Sequence, residues 1–431
     1  VTTGAVEVRV FESLESCAHL RADMARLNEA SPRPCPFSTF EFLANHVQHN
    51  GSSSTRQGER TLFLTAFRGE ALVGYMPLRW VADRIFGRTR KKIEYLVTHD
   101  IDRPHLVARQ ADTAPCAEAF YRYLLDAESD WTFLELVQQD EASPLHTLAP
   151  SLAESDVYVR FYENASNATI PVVYPSLGDY FRALSKKMRN NVGRCARRLF
   201  QAGDVQIVSS SATATLPGML DVYRSVELRS WKDGIDDVVG GDPRRIDYFR
   251  GLVQPEQPMR ISVRLLTLDG RPIAGIINGT FLDGMYALQI AYDEGFSDLD
   301  PGAMMLLVSM KEAIERRCAF YDLLSGYGYY KERWLARMTP STSVQVYRAG
   351  SLHHLKAVLG EYKRRVLACN DPQPTANANP AKGTATHRRD AAAGLPRADA
   401  TSLLANLQAS GVAIDRLTHG ELVDAMPFAV A

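Results

Sequence analysis

The stretch ISVRLLTLDGRPIAGIINGTF, Ile261 to Phe281, sets apolar runs on either side of a glycine turn and reads as strand, turn, strand. A second stretch, LFLTAFRGEALVGYMPLRW, Leu62 to Trp80, has the same form. In each, a turn glycine (Gly270, Gly69) is followed five residues later by another (Gly275, Gly74), with apolar residues just before the second. Such self-similarity reads as two copies of one unit. Each hairpin is followed by a helical segment and a short apolar strand. These are AEAFYRYLLDA and DWTFLELV (Asp130 to Val137) in the first half, and GAMMLLVSMKEAIERRC and AFYDLLSG (Ala319 to Gly326) in the second. The repetition predicts an α/β (α+β) fold of two tandem domains, each a mixed twisted sheet flanked by helices.

A length of 431 residues suits two hydrophobic cores. The boundary is expected near NASNATIPVVYPS, Asn164 to Ser176, where Pro171 and Pro175 punctuate a polar stretch, giving domains at 1–170 and 171–369. Past Cys369, NDPQPTANANPAKGTATHRRDAAAGLPRADA has almost nothing to bury and reads as a disordered linker over 370–400. TSLLANLQASGV and RLTHGELVDAM, within 401–431, carry enough Leu and Val for a short helical tail, docked either on the body or on a partner. Because the linker buries little, removal of 370–431 is expected to leave the melting of the body nearly unchanged.

A content of 45% hydrophobic and 23% charged residues, with net charge -1, is that of an ordinary globular chain and gives no general affinity for nucleic acid, so no DNA partner is expected. No apolar run reaches the roughly 18 residues of a membrane span, and the N-terminal stretch is charged where a signal peptide is apolar, so a cytoplasmic location is expected. The six cysteines are scattered without a C-x-x-C pair, which argues against both a disulfide framework and a structural metal. In HDIDRPH, His99 to His105, neither helical nor strand spacing converges the side chains on a metal.

One local feature departs from this even balance. In LSKKMRNNVGRCARRLFQAG, Leu184 to Gly203, there is no acidic residue, and Lys186, Lys187, Arg189, Arg194, Arg197 and Arg198 are all cations. At helical periodicity Leu184, Met188, Val192, Cys195 and Leu199 fall within an arc of roughly 80°, with the cations opposite. The stretch reads as a helix docked by one face. Its other face is either simply solvated or a seat for the phosphates of a cofactor, a lipid head group or RNA, with Lys186, Arg189 and Arg194 as candidate ligand contacts.

The succession SLGDYFRALSKKMRNNVGRCARRLFQAG, ELRSWK, AYDEGFSDLDPGAMML and YDLLSGYGYYKERW, over Ser176 to Trp334, resembles the GNAT-fold acyltransferases of the FemAB-like and CelD-like branch. PCPFSTFEFLANHV and the first hairpin resemble the degenerate N-terminal copy of such proteins, so the likeness runs from about Phe37 to Val366. It implies tandem GNAT-like domains, the second catalytic, and transfer of an acyl or aminoacyl group onto an amine. The implied partners are a small-molecule amine acceptor and a donor: acyl-CoA or another acyl thioester as co-substrate, a carrier protein, or aminoacyl-tRNA. No permanently bound cofactor is implied, and peripheral contact with membrane lipid is left open.

In acyl-CoA-dependent members of that superfamily the pyrophosphate sits on backbone N–H groups at a helix start, within a Q/R-x-x-G-x-G/A loop. The matching piece is SDLDPG, Ser297 to Gly302, followed by Ala303 and Met304. Pro301 suits a first helical turn and Gly302 close approach, while Ser297 replaces Gln or Arg and Asp300 replaces the first Gly. The departure is compatible with a donor whose phosphates lie on the basic helix.

Attack of an amine also needs a base and donors for an oxyanion. By the resemblance, Asp293 and Glu227 are candidate bases, each with the alternative of an ordinary carboxylate. Lys331 would hold an oxyanion or a substrate phosphate, and Tyr330 would protonate a leaving group; the alternative is that the tyrosines only pack and Lys331 is solvent-exposed. Trp231 would wall the acceptor pocket or simply belong to the core, and Tyr292 would contact the substrate. Asp293 and Lys331 are expected to approach one cleft. A non-catalytic binding or scaffold protein of envelope polysaccharide biosynthesis is the alternative reading.

Overall fold

A computed structural model describes residues 5–49, 60–96, 102–126, 130–164, 166–232, 239, 243–325, 329–368, 400–409, 415–418 and 421. They form two compact units, the first within Val1–Phe40, Ser54–Asn164 and Ser341–Gly394, the second within Glu41–Ser53, Ala165–Pro340 and Leu395–Ala431.

From the N-terminus run β1 (Glu7–Phe11), α1 (Arg21–Glu29), α2 (Phe40–His49), β2 (Arg60–Arg68), β3 (Ala71–Ile85), β4 (Arg88–Tyr95), β5 (Val107–Ala108), α3 (Thr113–Asp126), β6 (Trp131–Gln139), α4 (Pro144–Thr147) and β7 (Val157–Glu163). Of these, α2 lies in the second unit from Glu41 onward. That unit continues with β8 (Asn167–Pro171), α5 (Leu177–Ala183), α6 (Lys186–Ala202), β9 (Val205–Ser210), α7 (Leu216–Glu227), α8 (Pro243–Leu252) and β10 (Arg260–Leu268). Next come β11 (Arg271–Phe281), β12 (Gly284–Tyr292), α9 (Pro301–Glu315), β13 (Phe320–Asp322), α10 (Tyr329–Arg333) and β14 (Arg337–Thr339). The chain returns to the first unit for β15 (Thr342–Arg348) and α11 (Leu352–Ala368), then supplies α12 (Ala400–Ala409) and β16 (Asp415–Leu417) to the second.

The first sheet has the order β1-β2-β3-β4-β6-β15-β7 with β5 on β3, and the second β14-β8-β13-β12-β11-β10-β9-β16. Each holds an antiparallel meander that ends in one parallel pair, β4 with β6 and β12 with β13. α3 and α9 make the crossovers that parallel pairing requires. The two hairpins read from the sequence are β2-β3 and β10-β11, turning at Gly69 (φ 64°) and at Gly270 (φ 76°). They share a further detail, an extra residue that breaks the register just after the turn, Val73 in one and Ile273 in the other. A Cβ at Gly74 or Gly275 would lie 2.7 Å from Cys116 Sγ or Tyr223 Cδ2, so the second glycine of each copy admits a helix against the sheet.

The strands that complete each sheet come from elsewhere in the chain. β6 pairs with β15, and β13 pairs with β8. Each unit has its own core, around Leu64, Ile93, Phe120 and Leu134 in the first and Leu199, Ile276, Met305 and Tyr321 in the second. Cys17, Cys35, Cys116, Cys195 and Cys318 are free, buried thiols, and Cys369 lies outside the described residues. No helix among the described residues is long and apolar enough to cross a membrane.

The described part of the tail is docked, contrary to the expectation that its removal is harmless. α12 packs on α7 and β11 with Ala400 and Leu404 buried, and β16 pairs with β9. Residues 370–399 of the expected linker lie outside the described residues.

Candidate active site

The basic stretch is helical as its periodicity requires. The Ser185 hydroxyl caps α6 by accepting from the Met188 N–H at 3.2 Å, and Met188, Val192, Cys195, Ala196 and Leu199 form the docked face. Lys186, Lys187, Arg194 and Arg198 are exposed, and among the described residues none of these four, nor Arg197, pairs with an acid. Arg189 behaves differently: it folds back to donate to the carbonyls of Arg182, at 2.7 Å, and Leu184. α6 packs against α9 and against the turn at Glu294–Leu299, which places the cationic helix beside the expected phosphate loop.

The sheet of this unit opens at the same place. β12 and β13 pair from Gly284 to Tyr286 against Phe320 to Asp322, and β12 then runs on to Tyr292 without a partner on that edge among the described residues. Leu288 is an extra residue in β12 opposite Ile277 and Asn278, a bulge at the mouth of the opening, and the strand turns from buried to half-buried over Ala287 to Ile290. α9 starts at Pro301 after Asp300, whose left-handed backbone (φ 48°) turns the chain. A Cβ on Gly302 would lie 3.5 Å from the Tyr292 ring, so Tyr292 walls the helix start. The Ala303 N–H bonds to the Asp300 carbonyl at 3.1 Å, and Pro301, Ala303 and Met304 are buried, which leaves half-buried Gly302 as the accessible part of the helix start. Burial raises the Asp300 carboxyl above its ordinary pKa, against the pull of the Ala303 N–H and Arg333.

The candidate bases sit in different surroundings. Asp293, directly after β12, accepts from Arg229 Nε at 2.7 Å and Arg271 Nη2 at 2.9 Å through Oδ2, and from the Gly295 N–H at 3.0 Å through Oδ1. Burial works against its ionisation, but those donors win and its pKa lies below the ordinary value. Such a carboxylate is a weak base. Glu227 is buried at the end of α7, where it accepts from Tyr223 OH at 3.2 Å and lies 3.8 Å from Lys232 Nζ. Lys232 in turn donates to Gln289 Oε1 at 3.1 Å, on the lone stretch of β12, and burial lowers its pKa although Glu227 pulls it up. Trp231 is 57% exposed, so it is not a core residue.

Lys331, on α10, is buried and donates to three carbonyls in succession, Leu323 at 2.9 Å, Leu324 at 3.1 Å and Ser325 at 2.9 Å. It therefore clamps the chain that continues β13, whereas Asp293 follows β12, so the two belong to the chain beyond opposite strands of the opening. Tyr330, its neighbour, is half exposed. Gly326, Tyr327 and Gly328 lie outside the described residues. Three groups of this region escaped the sequence reading of roles: Lys232, Gln289 and Asp300 as a carboxyl of raised pKa. Lys232 stood in the quoted ELRSWK, but nothing in a sequence signals that a lysine is buried.

Residues 186–332 match the family model described as an acetyltransferase (GNAT) domain. No curated protein matches the sequence. Among solved structures, the chain is similar to FemX with a TM-score of 0.55 at 11% identity, over 81% of this chain and 99% of that one. It also matches a tandem GNAT protein from the clavulanic acid biosynthesis pathway (TM-score 0.45, 12% identity, 80% and 99% covered). A conserved protein of unknown function from Bacteroides thetaiotaomicron matches with a TM-score of 0.49 at 9% identity, over 79% and 99%. The second unit thus carries the match to the acetyltransferase (GNAT) domain, and the chain shares its fold with FemX.

Proposed function

We propose that the second unit is the catalytic one and moves an acyl or aminoacyl group from a thioester or ester donor, such as acyl-CoA, an acyl carrier protein or aminoacyl-tRNA, onto an amine. An envelope polysaccharide precursor, an amino lipid or a peptide would carry the acceptor amine. In this reading the amine nitrogen attacks the donor carbonyl, a C–N bond forms, the C–S or C–O bond to the carrier breaks, and the amine proton passes to a carboxylate. Asp300 suits that last task better than Asp293, because its raised pKa favours proton uptake. Tyr330 would return a proton to the leaving group. Gly302 would meet the donor, with Pro301 buried behind it as the start of α9 and Tyr292 and Trp231 beside the acceptor, while Lys331 would fix the wall of the opening at β13.

The observation that carries this reading is the β12/β13 opening next to α6, whose outward cations have no acid partners among the described residues. Phosphates of a donor would neutralise them. The test is a panel of donors, acetyl-CoA, longer acyl-CoAs, acyl carrier protein and aminoacyl-tRNA, offered with amino sugars, amino lipids and peptides, with products read by mass. With the active pair, combined Arg194→Gln and Arg198→Gln should raise the donor KM and flatten its salt dependence. Arg189→Gln should instead lower the melting temperature, since that side chain holds backbone carbonyls. A donor KM and a salt slope unchanged by the double substitution would remove α6 from the site.

A further inference from the structure

The first unit has a hollow of its own, of about 370 Å³, between its sheet and α11. In β6, β15 and β7 alternate residues face opposite ways. Leu134, Leu136, Val344, Val346 and Val157 point into the core, so the other face carries Phe133 and Glu135, Ser343, Gln345 and Tyr347, and Arg160. α11 lies over part of this face, with His353 and Ala357 buried against it.

The floor is aromatic: the Phe133 and Tyr347 rings stack at 4.6 Å with 5° between planes. It is held from the side by His353, whose Nε2 is 2.9 Å from Asp83 Oδ2 and whose Nδ1 is 2.8 Å from Thr132 Oγ1. Across the three strands Glu135, Gln345 and Arg160 are register neighbours, an acid, an amide and a base in one row. Gln345 donates to Glu135 Oε1 at 2.8 Å and accepts from Tyr347 OH at 3.0 Å, and Ser343 donates to Asn164 Oδ1 at 2.7 Å. The charge in this row is not balanced. Glu135 is neutralised from behind by Lys92 at 2.7 Å, but Arg160 only lies over the Tyr162 ring, at 5.8 Å. Lys356 and Arg364 of α11 also line the hollow, and among the described residues none of these three cations pairs with an acid.

We propose that this hollow is a second ligand site, in the unit that does not carry the matched acyltransferase domain, and that it binds a small phosphate ester with a hydroxyl-rich body, a sugar phosphate in chemical class. The phosphate sits among Arg160, Lys356 and Arg364, whose guanidinium and ammonium groups supply charge-assisted hydrogen bonds. The C–H face of the body packs on the Tyr347 ring, and its hydroxyls exchange hydrogen bonds with Gln345, Asn164 and Glu135. The volume is within the range of small-molecule sites, while the number of polar groups along the walls favours a hydroxylated occupant over an apolar one.

The test is calorimetric titration of the full chain with glucose 6-phosphate, inorganic phosphate and glucose as probes. Glucose 6-phosphate should bind, inorganic phosphate at least tenfold more weakly, and glucose without saturation. Arg160→Gln should weaken glucose 6-phosphate by about tenfold or more, the usual loss for a charged hydrogen bond. Lys356→Gln, at an exposed position where the fold is not at stake, should weaken it in the same direction. Equal affinity for phosphate and glucose 6-phosphate would overturn the hydroxylated body. An affinity unchanged in both variants, or absent for all three probes, would overturn the site. So would an affinity lost on Arg194→Gln and kept on Arg160→Gln, which would place the phosphate on α6.

Discussion

Lys232 Nζ lies 3.8 Å from Glu227 Oε1 and 3.1 Å from Gln289 Oε1, so a largely buried cation joins the end of α7 to the lone stretch of β12 at the β12/β13 opening. Burial lowers the lysine pKa below its ordinary 10.5, and Glu227 limits the fall. Glu227→Gln removes the opposing charge and should lower the Lys232 titration further, which NMR of the lysine side chain can follow. The sign for stability follows: a lysine that binds its proton less well when folded makes stability rise with pH between its lowered pKa and 10.5, and the substitution should widen that window. A midpoint indifferent to Glu227→Gln would mean that the pair is not electrically coupled.

Asp293 titrates in the opposite sense. Its folded pKa lies below the ordinary 3.8, so the stability it contributes is present above that value and is lost as pH falls through the lowered one. Asp293→Asn should therefore cost roughly 1–3 kcal/mol at neutral pH, the range for a carboxylate hydrogen-bonded to charged donors. The gap from the parent should close in strong acid. Urea unfolding at pH 7 and below pH 3 checks both points. If Asp293 were instead the base, transfer would collapse while stability at pH 7 stayed put.

What the sequence disclosed is what depends on neighbours along the chain. The glycine turns at Gly69 and Gly270 are local chemistry, and the docked face of α6 follows from its period alone. Sheet completion was hidden because it joins distant segments, β15 with β6 and β8 with β13, and no periodicity encodes a partner. The same holds for the site. Asp293 was visible as an acid after an apolar strand, but its arginine cage draws on Arg229 and Arg271, and only the fold shows that the cage makes it a poor base. The charge of the α6 stretch was visible in full, yet the turning back of Arg189 onto carbonyls was not.

The docked tail yields a prediction opposite in sign to the one drawn from composition. Deletion of 370–431 removes α12 from α7 and β11 and strips β16 from the edge strand β9. Burial of a leucine such as Leu404 contributes about 1.5–3 kcal/mol, so the melting temperature should fall by several degrees. Thermal unfolding of the truncated chain decides it, and an unchanged midpoint would show that α12 adds nothing to the core.

Lys331 offers the sharpest separation of architecture from chemistry. An ammonium group has three N–H donors, and here they reach Leu323, Leu324 and Ser325 carbonyls, so contact with a developing oxyanion would require one of these bonds to be given up. Two roles then predict different numbers. As a clamp, Lys331→Met takes the lysine donor from the Leu323 and Ser325 carbonyls while Leu324 keeps the Ala168 N–H, costs about 1–3 kcal/mol, and loosens the wall of the opening. As a direct electrostatic donor, it would lower kcat/KM by about 10²- to 10³-fold, mostly through kcat. The geometry favours the clamp, so the expected result is a lower melting temperature with a loss of kcat/KM that is partly recovered at lower assay temperature, where the loop re-forms. A folded Lys331→Met variant with unchanged melting and a kcat loss independent of temperature would return Lys331 to the reacting carbonyl.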